Sequence, residues 1–176
     1  MKLLTKAKAT IQNIKQVIDV EFDIASRKRV AKLTGFGFPR ELLASTLDGG
    51  YPVYLADEFM YVNSRIKDKP QATAVFHKNG TKEIYVNQKF LDLSKDIQEA
   101  IIQHEVGHLV LNAYYTPLEG FLGSIGLSNK RYLCECAADD YSAAGGHKMY
   151  EALLLIREEY GVNYKELNKR IERLTA

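Results

Sequence analysis

His104-Glu105-Val106-Gly107-His108 is the stretch of this sequence that most restricts its fold, because the spacing has a clear chemical use only on a helix. Positions four apart on a helix share one face and lie about one turn apart, so the two imidazoles can chelate one metal ion. Glu105 lies on the flank of that face and can reach a water molecule on the ion. The competing interpretation is a pair of surface or packed histidines on an amphipathic helix.

The residues around this motif predict a long helix that begins after Ser94, a good N-cap residue. Side chains suited to one buried face recur at three- and four-residue spacing: Ile97, Ala100, Ile101, His104, His108 and Leu111. Residues 109–111 are all apolar and cover most of the circumference of the helix, so this end of the helix is expected to be buried between other elements. Gly107 is a poor helix former, which indicates that another part of the molecule or a ligand approaches the backbone closely there, and a neighbouring strand or a substrate is one candidate.

A third metal ligand is expected farther along the chain, because H-E-x-x-H is the pattern of zinc hydrolases and a catalytic zinc usually has three protein ligands. The best candidate is Glu135, on a second helix predicted from near Asn129 to the Gly145-Gly146 pair. Asp139 follows on the same helix. One of these carboxylates can ligate the ion while the other accepts the distal N–H of a ligating histidine. An ordinary solvated glutamate is the alternative for Glu135.

The two motifs together resemble the gluzincin group of zinc metallopeptidases, over about residues 73–144. In that group H-E-x-x-H is followed, on a later helix, by E-x-x-A-D or E-x-x-x-D, and Glu135-Cys-Ala-Ala-Asp139 fits the first form. The chain is similar to HtpX-like peptidases, which carry E-x-x-A-D, and to ImmA-type proteases. It departs from the Asn-x-Phe of the ImmA type, because residues 139–141 are Asp-Asp-Tyr.

The resemblance implies a zinc metalloendopeptidase with one Zn²⁺ per chain and a peptide or protein substrate. The implied metal ligands are His104, His108 and Glu135, with Asp139 supporting a ligating histidine. Zinc lowers the pKa of its bound water toward about 7, so Glu105 can accept the proton as general base and pass it to the leaving amine. An oxyanion stabiliser is also expected, and the candidates are His147, Tyr141, Tyr114 and Tyr115.

A β-hairpin is predicted just before the motif helix. Two β-branched and aromatic runs, residues 73–77 and 83–87, are joined by Lys78-Asn79-Gly80-Thr81, and Asn-Gly is a strong hairpin signal. By resemblance, the first run is the outermost strand along which a substrate lies: Thr73, Ala74, Val75, Phe76 and His77. A hairpin with no substrate role is the alternative.

The composition limits the classes of function that remain. The chain has 176 residues, 46% of them hydrophobic, and a net charge of +2, which favours one folded domain and gives no electrostatic case for nucleic acid. No apolar run reaches the roughly twenty residues of a membrane span, and the N-terminal apolar stretch is too short for a signal peptide, so a cytoplasmic protein is expected. Cys134 and Cys136 are expected to be reduced, packed thiols.

The overall prediction is an α+β, zincin-like fold, with a small mixed sheet, the active-site helix and C-terminal helices. Residues 1–176 are expected to form one metallopeptidase domain, with residues 1–34 as a helical extension. Other predicted elements are a helix over 5–19, a short helix from Pro39 to about Leu47, one or two strands within 51–63, and helices over 147–160 and 163–175 hinged at Gly161. The alternative function is a zincin-fold regulatory or structural protein that binds a partner with narrow or no proteolysis.

Overall fold

The strands β1 (Glu41–Ser45), β2 (Pro52–Leu55), β3 (Ala72–Phe76) and β4 (Lys82–Val86) form one mixed sheet in the order β1-β2-β4-β3. A 3₁₀-helix (Gln88–Asp92) leads from β4 into α1 (Lys95–Leu111), and α2 (Lys130–Ala144), α3 (Met149–Tyr160) and α4 (Lys165–Arg173) follow. The computed structural model describes residues 40–46, 50–57, 59, 69–77, 80–114, 119, 122, 128–160 and 165–175. This architecture confirms the α+β class.

The chain divides into two compact units, Met1–Gly37 with Tyr115–Arg131, and Phe38–Tyr114 with Tyr132–Ala176. The second unit contains the sheet, α1, α3, α4 and all of α2 from residue 132 onward. Most of the first unit lies outside the described residues. The predicted helix over 5–19, the extension over 1–34 and the hinge at Gly161 also lie outside them. No helix in the described part of the chain combines the length and the apolar character needed to cross a membrane.

The hairpin prediction is confirmed, with each strand beginning and ending one residue earlier than expected. β3 and β4 pair antiparallel from Ala72↔Val86 to Phe76↔Lys82, and β3 is an edge of the sheet. The turn is closed by the His77 N–H donating to Thr81 O at 2.9 Å, and Gly80 adopts a φ of +86°. A positive φ of this size favours glycine, which explains the Asn-Gly signal.

The helix predicted from Pro39 to Leu47 is wrong. Residues Glu41–Ser45 form β1 instead, pairing antiparallel with β2 from Glu41↔Leu55 to Ser45↔Pro52, with a bulge between Leu42 and Ala44. The Leu- and Ala-containing run suits a helix locally, but pairing with a distant strand decides its conformation. The strand predicted within 51–63 is present as β2, and the two C-terminal helices are present as α3 and α4.

α1 is packed on two sides. Its C-terminal half contributes Val106 and Leu109 to a core with the sheet, whose buried members are Val53, Ile84, Val86, Phe90, Val106 and Leu109. Its N-terminal half packs against α3 and α4, in a core of Ile97, Ala100, Met149, Ala152, Leu153, Leu167 and Ile171. A helix fixed over its whole length by two cores is a rigid support for a metal site.

The prediction that residues 109–111 are all buried is wrong for two of them. Leu109 is fully buried, but Val110 and Leu111 are 43% and 49% exposed. Only Leu109 faces the sheet, because the three residues point in different directions around the helix. The helix ends at Leu111, and Asn112 adopts a left-handed conformation with a φ of 49°.

Candidate metal centre

α1 and α2 cross at Gly107. A Cβ atom at this position would lie 3.0 Å from the Cα of Ala138 and 3.0 Å from the Cβ of Tyr141, closer than side-chain carbons normally approach. The close approach predicted at Gly107 is therefore made by the second motif helix and not by a strand or a substrate. A hydrogen bond from Ser142 Oγ to Ala100 O, at 2.9 Å, joins the same two helices. The crossing brings the two sequence motifs together.

Three donor residues converge where the helices cross: His104, His108 and Glu135. The two Nε2 atoms of the histidines are 3.1 Å apart. Glu135 Oε2 lies 3.6 Å from His104 Nε2, and Glu135 Oε1 lies 3.9 Å from His108 Nε2. Both histidines are buried and Glu135 is partly buried. This group, which we call the metal-ligand cluster, could hold one metal ion.

The second nitrogen of each histidine ring has its own partner. His108 Nδ1 lies 2.6 Å from Ala113 O, so it donates to that carbonyl and turns Nε2 toward the cluster. His104 Nδ1 lies 2.9 Å from Asp139 Oδ1, an ion-pair contact whose direction falls short of a well-formed hydrogen bond. Asp139 thus occupies the position predicted for the residue that supports a ligating histidine. Nothing in the sequence indicates the role of Ala113, because a backbone carbonyl has no sequence signature of its own.

Arg170 on α4 is the main residue of the site that the sequence reasoning missed. Its Nη1 donates to Glu135 Oε2, and its Nε and Nη2 donate to the two oxygens of Asp139, all at 2.8 Å. Burial by itself raises the pKa of Glu135, but contacts with His104 and Arg170 outweigh it and hold that pKa well below its usual range. The same balance lowers the pKa of Asp139. Both carboxylates are therefore ionised at neutral pH.

His104 is the most perturbed base of the cluster. Burial by itself lowers its pKa, but contacts with the carboxylates of Asp139 and Glu135 outweigh burial and raise the pKa to about 9. The ring is paired with the fully buried Asp139.

Glu105 lies next to the outer edge of β3, which we call the free edge because no strand among the described residues pairs with it. Its Oε2 accepts a hydrogen bond of 2.6 Å from the backbone N–H of Ala74 in β3. The hydrogen bonds His77 N to Thr81 O and Asn87 N to Gln71 O show that residues 71 and 77 bond toward β4. Because this direction alternates along an antiparallel strand, residues 73 and 75 also bond toward β4. The backbone groups of Ala72, Ala74 and Phe76 therefore face the free edge.

The candidate oxyanion stabilisers lie in different places. Tyr141 packs against the sheet core, with its Cβ beside Gly107. His147 follows α2, and its Nδ1 lies 3.6 Å from Glu99 Oε1. Tyr114 is exposed and packs against Phe76, and Tyr115 lies outside the described residues. None of them belongs to the metal-ligand cluster, and the oxyanion role stays a prediction for each. Cys134 and Cys136 are buried and free, in agreement with the sequence.

Comparison of the chain with known protein families, with curated proteins and with solved structures finds no match.

Proposed function

We propose that this chain is a zinc-dependent metallopeptidase of the gluzincin type, with a zincin-like fold. The observation that carries the proposal is that His104, His108 and Glu135 come together. Glu105 follows His104 on α1, and its carboxylate accepts a hydrogen bond from the edge strand β3. These observations support a metal-binding group, a base and a place for an extended peptide in one region.

The donor set fits zinc. Two imidazole nitrogens and one carboxylate are the ligands of a common class of catalytic zinc site, which keeps a fourth position open, whereas a structural site is usually closed by four ligands. A tetrahedral ion with Zn–N distances of about 2.0–2.1 Å separates its two nitrogens by about 3.3 Å. The two Nε2 atoms here are 3.1 Å apart, a separation close to that value.

The chemistry divides between the metal and the chain's own residues. Zinc, when bound, supplies a Lewis acid and lowers the pKa of a bound water to about 7. Glu105 acts as general base, taking the proton of the attacking water on its carboxylate and passing it to the leaving amine. Asp139 and Ala113 O hold the histidine rings in orientation through their Nδ1 atoms. Arg170 keeps Glu135 and Asp139 ionised and in place.

The substrate is an extended peptide that adds to β3 as an antiparallel strand. The outward backbone groups of Ala72, Ala74 and Phe76 supply the main-chain hydrogen bonds of this mode of recognition. A peptide paired at Ala74 competes with Glu105 for the same N–H, which releases the carboxylate for proton transfer. Substrate binding and the freeing of the base are therefore one event.

The test of the function is zinc content together with peptide cleavage. The zinc-loaded protein should contain one ion per chain and cut peptides from a proteome-derived library. Glu105→Gln should keep its zinc and lose roughly 10²- to 10⁴-fold in rate, since general base catalysis contributes about that much. Glu151→Gln, an exposed position on α3, is the control and should match the wild type. Cleavage by Glu105→Gln at the wild-type rate would exclude the mechanism, and zinc binding without any cleavage would favour a partner-binding role.

The role of β3 can be tested separately, because its amides that face β4 and its amides that face the free edge should differ in hydrogen exchange. A peptide hydroxamate that chelates zinc should slow hydrogen exchange at the amides of Ala74 and Phe76, which face the free edge. The Val75 amide bonds toward β4 and should be protected with or without the inhibitor. Protection that appears in another segment, with Ala74 and Phe76 unchanged, would exclude β3 as the substrate strand.

A further inference from the structure

Two aromatic rings are exposed at the end of the edge strand. Phe76, the last residue of β3, is 36% exposed, and Tyr114, just beyond α1, is 54% exposed. Their ring centroids are 5.1 Å apart, with the planes tilted by 47°. Exposed apolar side chains that contact each other form a continuous surface, and such surfaces often bind a partner.

This aromatic pair borders the metal-ligand cluster. Phe76 is two residues after Ala74, about 6.6 Å along a strand, and Ala74 is the residue that Glu105 contacts. Tyr114 follows Ala113, whose carbonyl accepts from His108, and the carbonyl of Tyr114 itself accepts from Cys134 Sγ at 3.7 Å. The chain on either side of the pair is thus anchored to the ligand-bearing helices and to the base.

A contact with Lys82 holds the Phe76 ring in position. Lys82 Nζ lies 5.6 Å from the centre of the ring, in a cation–π contact. The same ammonium group donates to Leu109 O at 2.5 Å and to Asn112 Oδ1 at 2.8 Å, at the C-terminal end of α1. A ring that is already held by such a contact loses little entropy when a ligand packs on it.

The direction of the bound peptide determines which of its residues meets this pair. A peptide antiparallel to β3 runs from the Phe76 end toward the Ala74 end, so the residues before the scissile bond lie at Phe76. Residues directly opposite in a strand pair project their side chains on the same face. On that face of β3, Ala72 and Ala74 pack against the core beneath α1, which places the Phe76 ring on the side of the metal centre.

We propose that Phe76 and Tyr114 form a specificity subsite for peptides that carry an aromatic or other bulky apolar side chain just before the bond to be cut. This inference rests on the peptidase function proposed above and adds the class of substrate. The small side chains of Ala72 and Ala74 offer no comparable surface on the other side of Glu105, so the selection is made at the Phe76 end.

The experiment uses the full zinc-loaded chain and a library of synthetic random decapeptides, with cleavage sites read by mass spectrometry. Aromatic and bulky apolar residues should be enriched just before the cleaved bond. For two peptides that differ only by Phe or Ala at the enriched position, Phe76→Ala should lower kcat/KM about 5- to 10-fold more for the Phe peptide than for the Ala peptide. Tyr114→Phe keeps the ring and should keep the preference.

Leu42→Ala is the matched control, because Leu42 is 57% exposed on β1, at the opposite edge of the sheet. It should change neither peptide's rate. The same library is also bound to the zinc-loaded Glu105→Gln protein and the retained peptides are sequenced. Cleavage without aromatic preference overturns the subsite and leaves the peptidase intact. Aromatic-dependent retention without cleavage by the wild type keeps the subsite and overturns the peptidase, and the absence of both overturns both.

Discussion

The metal-ligand cluster between α1 and α2 and a second cluster around Glu83 are built from the same kinds of residue. Glu83 projects from β4 on the face of the sheet opposite α1, together with Tyr85. Its Oε2 accepts hydrogen bonds from Arg40, from Tyr85 Oη at 2.7 Å and from His77 Nε2 at 2.8 Å. We call these four residues the Glu83 cluster. Each cluster therefore contains a carboxylate and a histidine, and in each an arginine donates a hydrogen bond to that carboxylate.

The clusters differ in where their donor atoms point. In the Glu83 cluster the hydrogens of three side chains converge on one carboxylate oxygen, so the contacts are made within the protein. In the metal-ligand cluster, Asp139 and Ala113 O contact the Nδ1 atoms of the two histidines, and the two Nε2 atoms lie 3.1 Å apart beside Glu135. A buried charged cluster therefore does not by itself mark a functional site. What distinguishes this one is that three potential ligand atoms lie close enough together to share one ion.

The largest expected difference between the clusters is in metal retention. Glu135→Ala removes a ligand atom, so this protein should lose its zinc on dialysis. Glu83→Ala removes a buried carboxylate from hydrogen-bond donors alone, and should keep one zinc per chain while losing about 1–3 kcal/mol of stability, the cost of unsatisfied buried partners. Metal analysis by atomic emission measures the first effect and urea unfolding the second. Equal zinc in both variants would remove Glu135 from the site and direct the search to Asp139 or Asp140.

The second-largest expected effect is the loss of stability when Arg170 is replaced. Arg170→Met leaves Glu135 and Asp139 buried without their cation, and removal of one partner from a buried ion pair costs about 3–5 kcal/mol. The loss should appear in urea unfolding with EDTA and shrink when zinc is added, because the ion replaces the missing positive charge. Lys148→Met is the control: Lys148 pairs with Asp96 at 2.5 Å, and because both side chains are exposed this surface contact is worth about 0–1 kcal/mol. Equal losses for the two variants would show that Arg170 has no special role.

The parts of this site that the sequence predicted are those with local signals. The periodicity and caps of α1 and α2, the Asn-Gly turn and the four-residue spacing of His104 and His108 all act within one element. Asp139 could be predicted because it lies one helical turn from Glu135. β1 was missed because its conformation depends on pairing with β2, which no pattern within residues 41–45 reports.

Arg170 was missed because its partners are on another helix, although a signal was present. Leu167 and Ile171 are the buried residues of α4. Arg170 is three positions after Leu167 and directly before Ile171, so it lies beside the buried face of the helix and not on the opposite face. An arginine at such a position needs a buried partner, because an unpaired internal charge is costly. The sequence therefore indicated that Arg170 has a carboxylate partner, but not which one.

A smaller loss of zinc affinity is expected when a residue that contacts a ligating histidine is replaced and the histidine itself is kept. Asp139→Asn keeps the size of the side chain but removes the charge beside His104 Nδ1. Changes of this kind typically weaken metal affinity about 10- to 100-fold. Competition with a fluorescent zinc chelator measures the affinity, and Asp140→Asn, at the exposed neighbouring position, should leave it unchanged. An undiminished affinity in Asp139→Asn would mean that the contact with His104 does not orient the ring for the metal.

The smallest effect is the part of the pH dependence of stability that comes from Glu83. Burial by itself raises the pKa of Glu83, but contacts with Tyr85, His77 and Arg40 outweigh it, so the pKa in the folded protein lies below its ordinary value. A carboxyl with a lowered folded pKa stabilises the fold above its unfolded pKa, and this contribution is lost as the pH falls through the folded value. Glu83→Gln has no such contribution.

The free energy of unfolding of the wild type should therefore exceed that of Glu83→Gln at pH 6, and the difference should shrink as the pH is lowered below about 4, near the ordinary pKa of Glu. Glu135 and Asp139 also lose stabilisation in acid, but they do so in both proteins, so the difference isolates Glu83. Urea unfolding in EDTA at a series of pH values measures it, and zinc affinity at neutral pH should be equal in the two proteins. A difference that does not change with pH would mean that Glu83 stabilises the sheet by packing and not by charge, and a changed zinc affinity would show that the two clusters are coupled through the sheet.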